Sequence, residues 1–172
     1  VAADERNTDR GFVMDRDVCD QKSEMMLVFS VGAISCGLCV TNVGEICRNL
    51  EITPVFRAPA AVRGVIHLRG QVVTVVDMRT IFNSPRAGIG RESRIIVVKS
   101  MDESLGLLVD AVEDIIAVDH KNLKPPPPNV KGVAGSLFTC IYKRPFDLVA
   151  VLNLEAALAL GGMNGLVRIG SE

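Results

Sequence analysis

The chain has 172 residues and a mass of 18.5 kDa, with 48% hydrophobic and 23% charged residues. That is enough apolar material for a folded core and excludes global disorder. Lys and Arg total 19 against 20 Asp and Glu, a net charge of −1, which argues against a general nucleic-acid binder or an acidic-tail protein.

Residues 1–24 carry seven acids and four bases and no apolar stretch, so they read as a flexible charged tail and not as a secretory signal. The body runs from 25 to 160. It is rich in Val (24) and Ile (12) relative to Leu (15). β-Branched side chains lose χ1 freedom in a helix and pack well on a pleated sheet, so the composition leans to β. Residues 26–31 read as a first strand stopped at Gly32, and 37–43 as a second, bent at its glycine. A third, 65–68, turns tightly at Arg69-Gly70 into 71–77. A short helical turn is expected at 79–82 and a loop at 83–93, where Pro85, Gly88 and Gly90 stand. Further strands follow at 94–99, 105–109, 113–118, 135–142 and 146–152, with a polar hairpin at 101–104 between the first two. Asn153 is an N-cap for a helix over 154–160 that Gly161 stops. Two turns are too few to stand alone, so this helix must dock on a sheet. Residues 161–172 read as a flexible C-terminal tail.

Short strands at this spacing predict an all-β barrel or sandwich, and no βαβ alternation supports a Rossmann-like sheet. No simple repeat of 20–50 residues is visible. No apolar run reaches the roughly 18 residues that span a bilayer. A soluble, cytoplasmic protein without direct membrane insertion is expected. Charge is blocked despite the even total. Residues 57–99 carry eight bases and two acids, 100–120 six acids and no Lys or Arg, and 121–147 five bases and one acid. Such segregation suits complementary surfaces, or simply solvated edges.

The chemistry of catalysis is poorly represented. Of two histidines, His120 sits in a loop and His67 lies beside the Arg69-Gly70 turn, as a rim residue or a partner contact. Cys36 and Cys39 have C-x-x-C spacing but no second pair. In a strand, residues three apart face opposite sides, so both thiolates could not reach one metal. Cys36, Cys39, Cys47 and Cys140 read as core packing. Walker and G-x-G-x-x-G loops are missing. Asp110, Glu113 and Asp114 read as a solvated strand edge. The run Pro125–Pro128 reads as a stiff polyproline connector. The basic block leaves one other function class open, a nucleic-acid-binding OB-like barrel. Single-strand binders interleave bases with stacking aromatics, and Phe82 is the block's one aromatic. No enzyme, cofactor or metal is expected.

The motifs taken in order resemble the CheW-like chemotaxis coupling domain over residues 25–160. The match runs through Leu27–Gly32, Gly37-Leu38 and Val43–Ile46. Arg63–Gly70 is similar to the family's "GV-N-LRG" signature, and Val75–Arg79 to its "PVIDLR" run. Arg94–Val98, Gly106–Val112, Asn129–Val133 and Leu152–Glu155 complete it. His67 stands where Asn is usual, Thr74 where Pro is usual, and Cys39 where an acid or proline is common.

The resemblance implies two intertwined, SH3-like, five-stranded β-barrel subdomains with a boundary near 78–93, and a short C-terminal helix. It implies a non-catalytic scaffold that couples chemoreceptors to the histidine kinase CheA at membrane-associated receptor arrays. The implied partners are the regulatory domain of a CheA-type kinase and the cytoplasmic tip of a methyl-accepting chemoreceptor, without nucleic acid. Glu45 and Arg69 match a charged pair the family commonly holds near its binding surfaces. Val43, Gly64 and Gly70 match positions associated with kinase or receptor binding.

Overall fold

A computed structural model describes residues 25–48, 51–99 and 103–162. The expectations for the tail 1–24, the hairpin tip at 101–102 and residues 163–172 lie outside the described residues. The described residues build two large sheets and one two-stranded ribbon. One has five strands in the order β3 (Val43–Cys47), β6 (Arg94–Lys99), β7 (Ser104–Val109), β5 (Gln71–Asp77), β4 (Val62–Leu68). The other runs β8 (Ala111–Ala117), β1 (Met25–Val31), β2 (Ile34–Cys39), β13 (Leu148–Leu152), β12 (Phe138–Lys143), with the two-residue β9 (Leu123–Lys124) as a sixth. A small hairpin pairs β10 (Asn129–Val130) with β11 (Val133–Ala134). The two-sheet, all-β architecture is the expected one.

Three apolar clusters fill the molecule, and strand alternation sorts the side chains among them. Leu27 and Phe29 of β1, Ile96 and Val98 of β6, and Leu105 and Leu107 of β7 meet in a central cluster shared by both sheets. The intervening Met26 and Val28 of β1 point into a cluster of the six-stranded sheet, with Val149 and Val151. Ile95 and Val97 point into the matching cluster of the five-stranded sheet, with Val73 and Val75. Both faces of these strands are therefore buried, which is why Ile95–Val98 and Val149–Leu152 are continuous apolar runs and not alternating ones.

Both helices follow a strand and are capped by a polar side chain, Asp77 at the end of β5 and Asn153 just after β13. The Asp77 carboxylate accepts from the Arg79 amide at the start of α1 (Met78–Ile81). The Asn153 side chain accepts from the Ala156 amide at the start of α2 (Leu154–Leu160). Phe82, just after α1, meets Phe138 edge-on at 5.6 Å between ring centroids, so an aromatic contact joins the sheets.

Several elements differ from the sequence reading. The bent strand expected at 37–43 is β2, a 3₁₀ turn at Val40–Asn42, and the start of β3. The chain changes sheets between β2 and β3 and again between β7 and β8. Segment 78–93, read as the subdomain boundary, connects β5 and β6, both strands of the five-stranded sheet. Local turn chemistry marks a loop there but carries no information about which sheet its flanking strands join.

The two sheets repeat one plan. The β1–β2 hairpin pairs Val28 with Gly37, and the β6–β7 hairpin pairs Val97 with Gly106. Val151 runs parallel to Gly37, and Val75 parallel to Gly106. A Cβ on Gly37 would meet Met26 and Val149; one on Gly106 would meet Ile95 and Val73, which hold the same places. The register shifts repeat as well, at Val62/Gly64 and Phe138/Cys140. Even the lone bridge of Thr53 to Val65 has its counterpart in Lys124 opposite Ile141. Each sheet combines a hairpin from one half of the chain with strands from the other, three in the five-stranded sheet and four in the six-stranded one.

Candidate protein-interaction surface

Arg69 and Gly70 form the turn between β4 and β5, with Leu68 opposite Gln71. Both have positive φ, +51° and +79°, the backbone of a two-residue hairpin turn whose twist matches its strands. Glycine takes that conformation freely. An arginine there costs about 1–2 kcal/mol. The turn aims Arg69 across at β3, where its Nε lies 3.4 Å from Glu45 Oε1. β3 and β4 are the opposite edges of their sheet, so the pair spans the seam of a curled sheet. Arg69 is 81% exposed, and an exposed pair of this kind contributes about 0–1 kcal/mol. Its consequence is to hold a guanidinium and a carboxylate in fixed places on the surface. His67 and Val72, directly opposite each other on the same hairpin, are exposed beside it.

The other matched residues sit differently. Val43 is half-buried at the start of β3 and packs on the central cluster. Gly64 is buried. A Cβ there would lie 2.2 Å from the carbonyl oxygen of Thr53, whose amide and carbonyl bond to Val65. Gly64, at φ +150°, lets segment 51–54 close on β4 and so supports the surface from beneath. Gly70 has open space around it and lies at the exposed tip. The structure thus brings Glu45, Arg69 and Gly70 together at the surface and places Val43 and Gly64 behind it.

The other sheet carries a corresponding face. Arg144, in the turn between β12 and β13, is paired with Asp147 and lies 3.8 Å from Glu113 on the far-edge strand β8. The Tyr142 hydroxyl adds a bond to the Ala117 carbonyl and accepts the Asp119 amide across the same gap. Leu148 (58% exposed) corresponds to Val72 (60%), and Phe146 at the tip is 99% exposed. These apolar residues were missed in the sequence. The available signal was an apolar residue at the solvent-facing register of a hairpin end.

Two ionic ties were also missed. Asp77, the one charged residue in the core of the described chain, is bonded by Arg63 at 3.0 Å. Asp110, read as a solvated edge, instead holds three parts of the chain together. It accepts from Arg79 Nε at 2.8 Å and from the Gly32 amide at 2.6 Å, while Arg79 also donates to the Pro85 carbonyl. The bond to Asp110 raises the Arg79 pKa further, so this guanidinium is charged at any working pH. Spacing alone does not reveal a partner 31 residues away.

Cys36 faces the central cluster and Cys39 the cluster beneath its own sheet, so the C-x-x-C residues do diverge. Burial pushes the Cys36 thiol far up and the Cys140 thiol to about 12, which keeps both protonated and poor as nucleophiles or metal ligands. No group of three or more His, Cys, Asp or Glu among the described residues could hold a metal. Among those residues, no helix is long and apolar enough to cross a membrane.

Comparison with known proteins agrees with a surface-based role. The family model for the CheW-like domain matches residues 25–160. The chain is 31% identical over 135 residues to the chemotaxis protein CheW of Bacillus subtilis (strain 168), covering 78% of this chain and 86% of that protein. It is 36% identical over 102 residues to the chemotaxis protein CheW of Rhizobium meliloti (strain 1021), 59% of this chain and 66% of that one. Among solved structures, the scaffolding protein TtCheW from Thermoanaerobacter tengcongensis superimposes with a TM-score of 0.76 at 28% identity, over 85% of this chain and 99% of that one.

Proposed function

The chain belongs to the CheW-like domain family, and on that premise we propose that it is a non-catalytic scaffold coupling chemoreceptors to a CheA-type histidine kinase. The observation that carries this reading is the Glu45–Arg69 pair, held at an exposed seam by a turn whose backbone disfavours arginine. Strain of this kind, with little stability gained in return, fits a surface kept for recognition. The family match and the scaffolding relative support a protein-binding role over catalysis. They do not favour the OB-like nucleic-acid alternative.

In this reading one sheet meets the regulatory domain of the kinase, through Arg69, Glu45 and Gly70, with Val43 and Gly64 holding β3 and β4 in place. The cytoplasmic receptor tip docks where the two sheets adjoin, and the protein works in the cytoplasm at receptor arrays. An Arg69→Gly variant tests the kinase contact. Glycine suits the positive φ, so the fold is kept while the guanidinium is lost. The variant binds the kinase regulatory domain at least tenfold more weakly, with a native far-ultraviolet CD spectrum. Unchanged affinity would remove Arg69 from the interface.

A further inference from the structure

Neither half of the chain contains a whole sheet. Residues 25–82 supply β1 and β2 to one sheet and β3, β4 and β5 to the other, and residues 94–160 supply the complement of each. The halves therefore embrace each other as two partners would. The only chain between them is 83–93, and its bonds divide cleanly. Asn83, Ser84, Pro85 and Arg86 bond backward, to Thr80, Arg79 and Ala60. Gly90 to Ser93 bond among themselves and to Arg94. Ala87, Gly88 and Ile89 make no hydrogen bond or ion pair among the described residues, and Ile89 is exposed.

We propose that this chain exchanges halves with a second copy of itself, residues 87–89 acting as the hinge. The first half of each copy pairs with the second half of the other, which rebuilds both sheets twice. Every strand pairing and every contact of the central cluster recurs unchanged in that dimer. Opening the hinge sacrifices no bond, so only the hinge conformation and the entropy of association separate the two forms. The balance then depends on concentration and hinge length. A hinge shortened by three residues loses about 10 Å of reach, which favours exchange. If the Glu45–Arg69 face binds a partner as proposed above, the dimer presents it twice and gains avidity.

The test is complementation between two full-length chains. Phe29→Asp places a charge in the central cluster from the first half, and Leu107→Asp does so from the second; both sites are fully buried. Neither variant alone can assemble an intact unit, as monomer or as exchanged dimer. Refolded together from urea, they can form one intact unit from the sound half of each. The expected result is a heterodimer by light scattering, with a cooperative β-sheet melting transition that neither variant shows alone. In parallel, wild-type chain lacking residues 87–89 gives at least a tenfold larger dimer fraction than wild type. A mixture no more folded than its two components, together with a hinge-shortened chain that stays monomeric, would overturn the proposal. The readouts need no binding partner, so they stand apart from the outcome of the kinase-binding test.

Discussion

Gly64 and Asp77 show how single residues decide what this surface can be. Any Cβ at Gly64 strikes backbone, 2.2 Å from the Thr53 carbonyl oxygen, which two hydrogen bonds between Thr53 and Val65 hold against β4. Gly64→Ala is expected to cost about 3 kcal/mol, from strained backbone plus overpacking. Urea denaturation would show it as a lower midpoint. Asp77 is a buried carboxylate that caps α1 and pairs with Arg63. Asp77→Ala removes both roles and is expected to cost about 3–5 kcal/mol, the range for breaking a buried pair. Asp77→Asn keeps the cap, as Asn153 does at the matching place before α2, and is expected to cost less than half as much. Equal losses in the two variants would mean that capping contributes nothing there.

The buried thiols add a pH dependence at the same scale. Cys140 is raised from 9.0 to about 12 by burial. A value higher in the folded chain than in the unfolded one means the folded state holds its proton longer. The resulting stability is whole below about pH 9 and is lost as pH rises toward 12, at about 1.4 kcal/mol per pH unit. Denaturation midpoints measured from pH 8 to 11 should therefore fall, and Cys140→Ala should flatten that fall. An identical slope in the variant would place the alkaline sensitivity elsewhere.

At the scale of elements, most strands were legible because apolar runs bounded by Gly, Pro and Asn are a local signal. Residues 71–77 and 94–99 read as strands and are β5 and β6 as found; Asn153 and the helix at 154–160 read equally directly. The strand β3 was not separated from β2, because the 3₁₀ turn at Val40–Asn42 carries neither Gly nor Pro and its one boundary signal, Asn42, stands alone between Val40 and Val43. The site was legible only in part. Arg69-Gly70 announces a turn, but that Glu45 lies beneath it depends on two edge strands meeting, which is not a local property. The repeated plan also escaped notice. Gly37 and Gly106 are 69 residues apart, beyond the 20–50 spacing of common repeats. The repeat itself makes a prediction. Gly37→Ala and Gly106→Ala meet the same crowding by side chains, at 2.4 Å from Met26 and 2.6 Å from Ile95. Both should lower the thermal midpoint, Gly106→Ala the more, since the branched Ile95 yields less readily than the flexible Met26 thioether.

For the whole molecule, the shared central cluster makes the two sheets one cooperative body. Leu27, Phe29, Ile96 and Leu107, from both halves of the chain, lie together in it. Around this body the charges fall into separate territories. The five-stranded sheet and its loops hold most of the basic block 57–99, and β8 begins the acidic edge of the other. Such a body presents separate charged faces, as the proposed scaffold role requires. The most direct measurement is calorimetric titration of the full chain with the regulatory domain of its own organism's CheA-type kinase, at physiological salt. The account predicts saturable binding by the wild-type chain, weakened at least tenfold by Arg69→Gly in a variant that remains folded. A wild-type chain that is fully folded and gives no binding would contradict it.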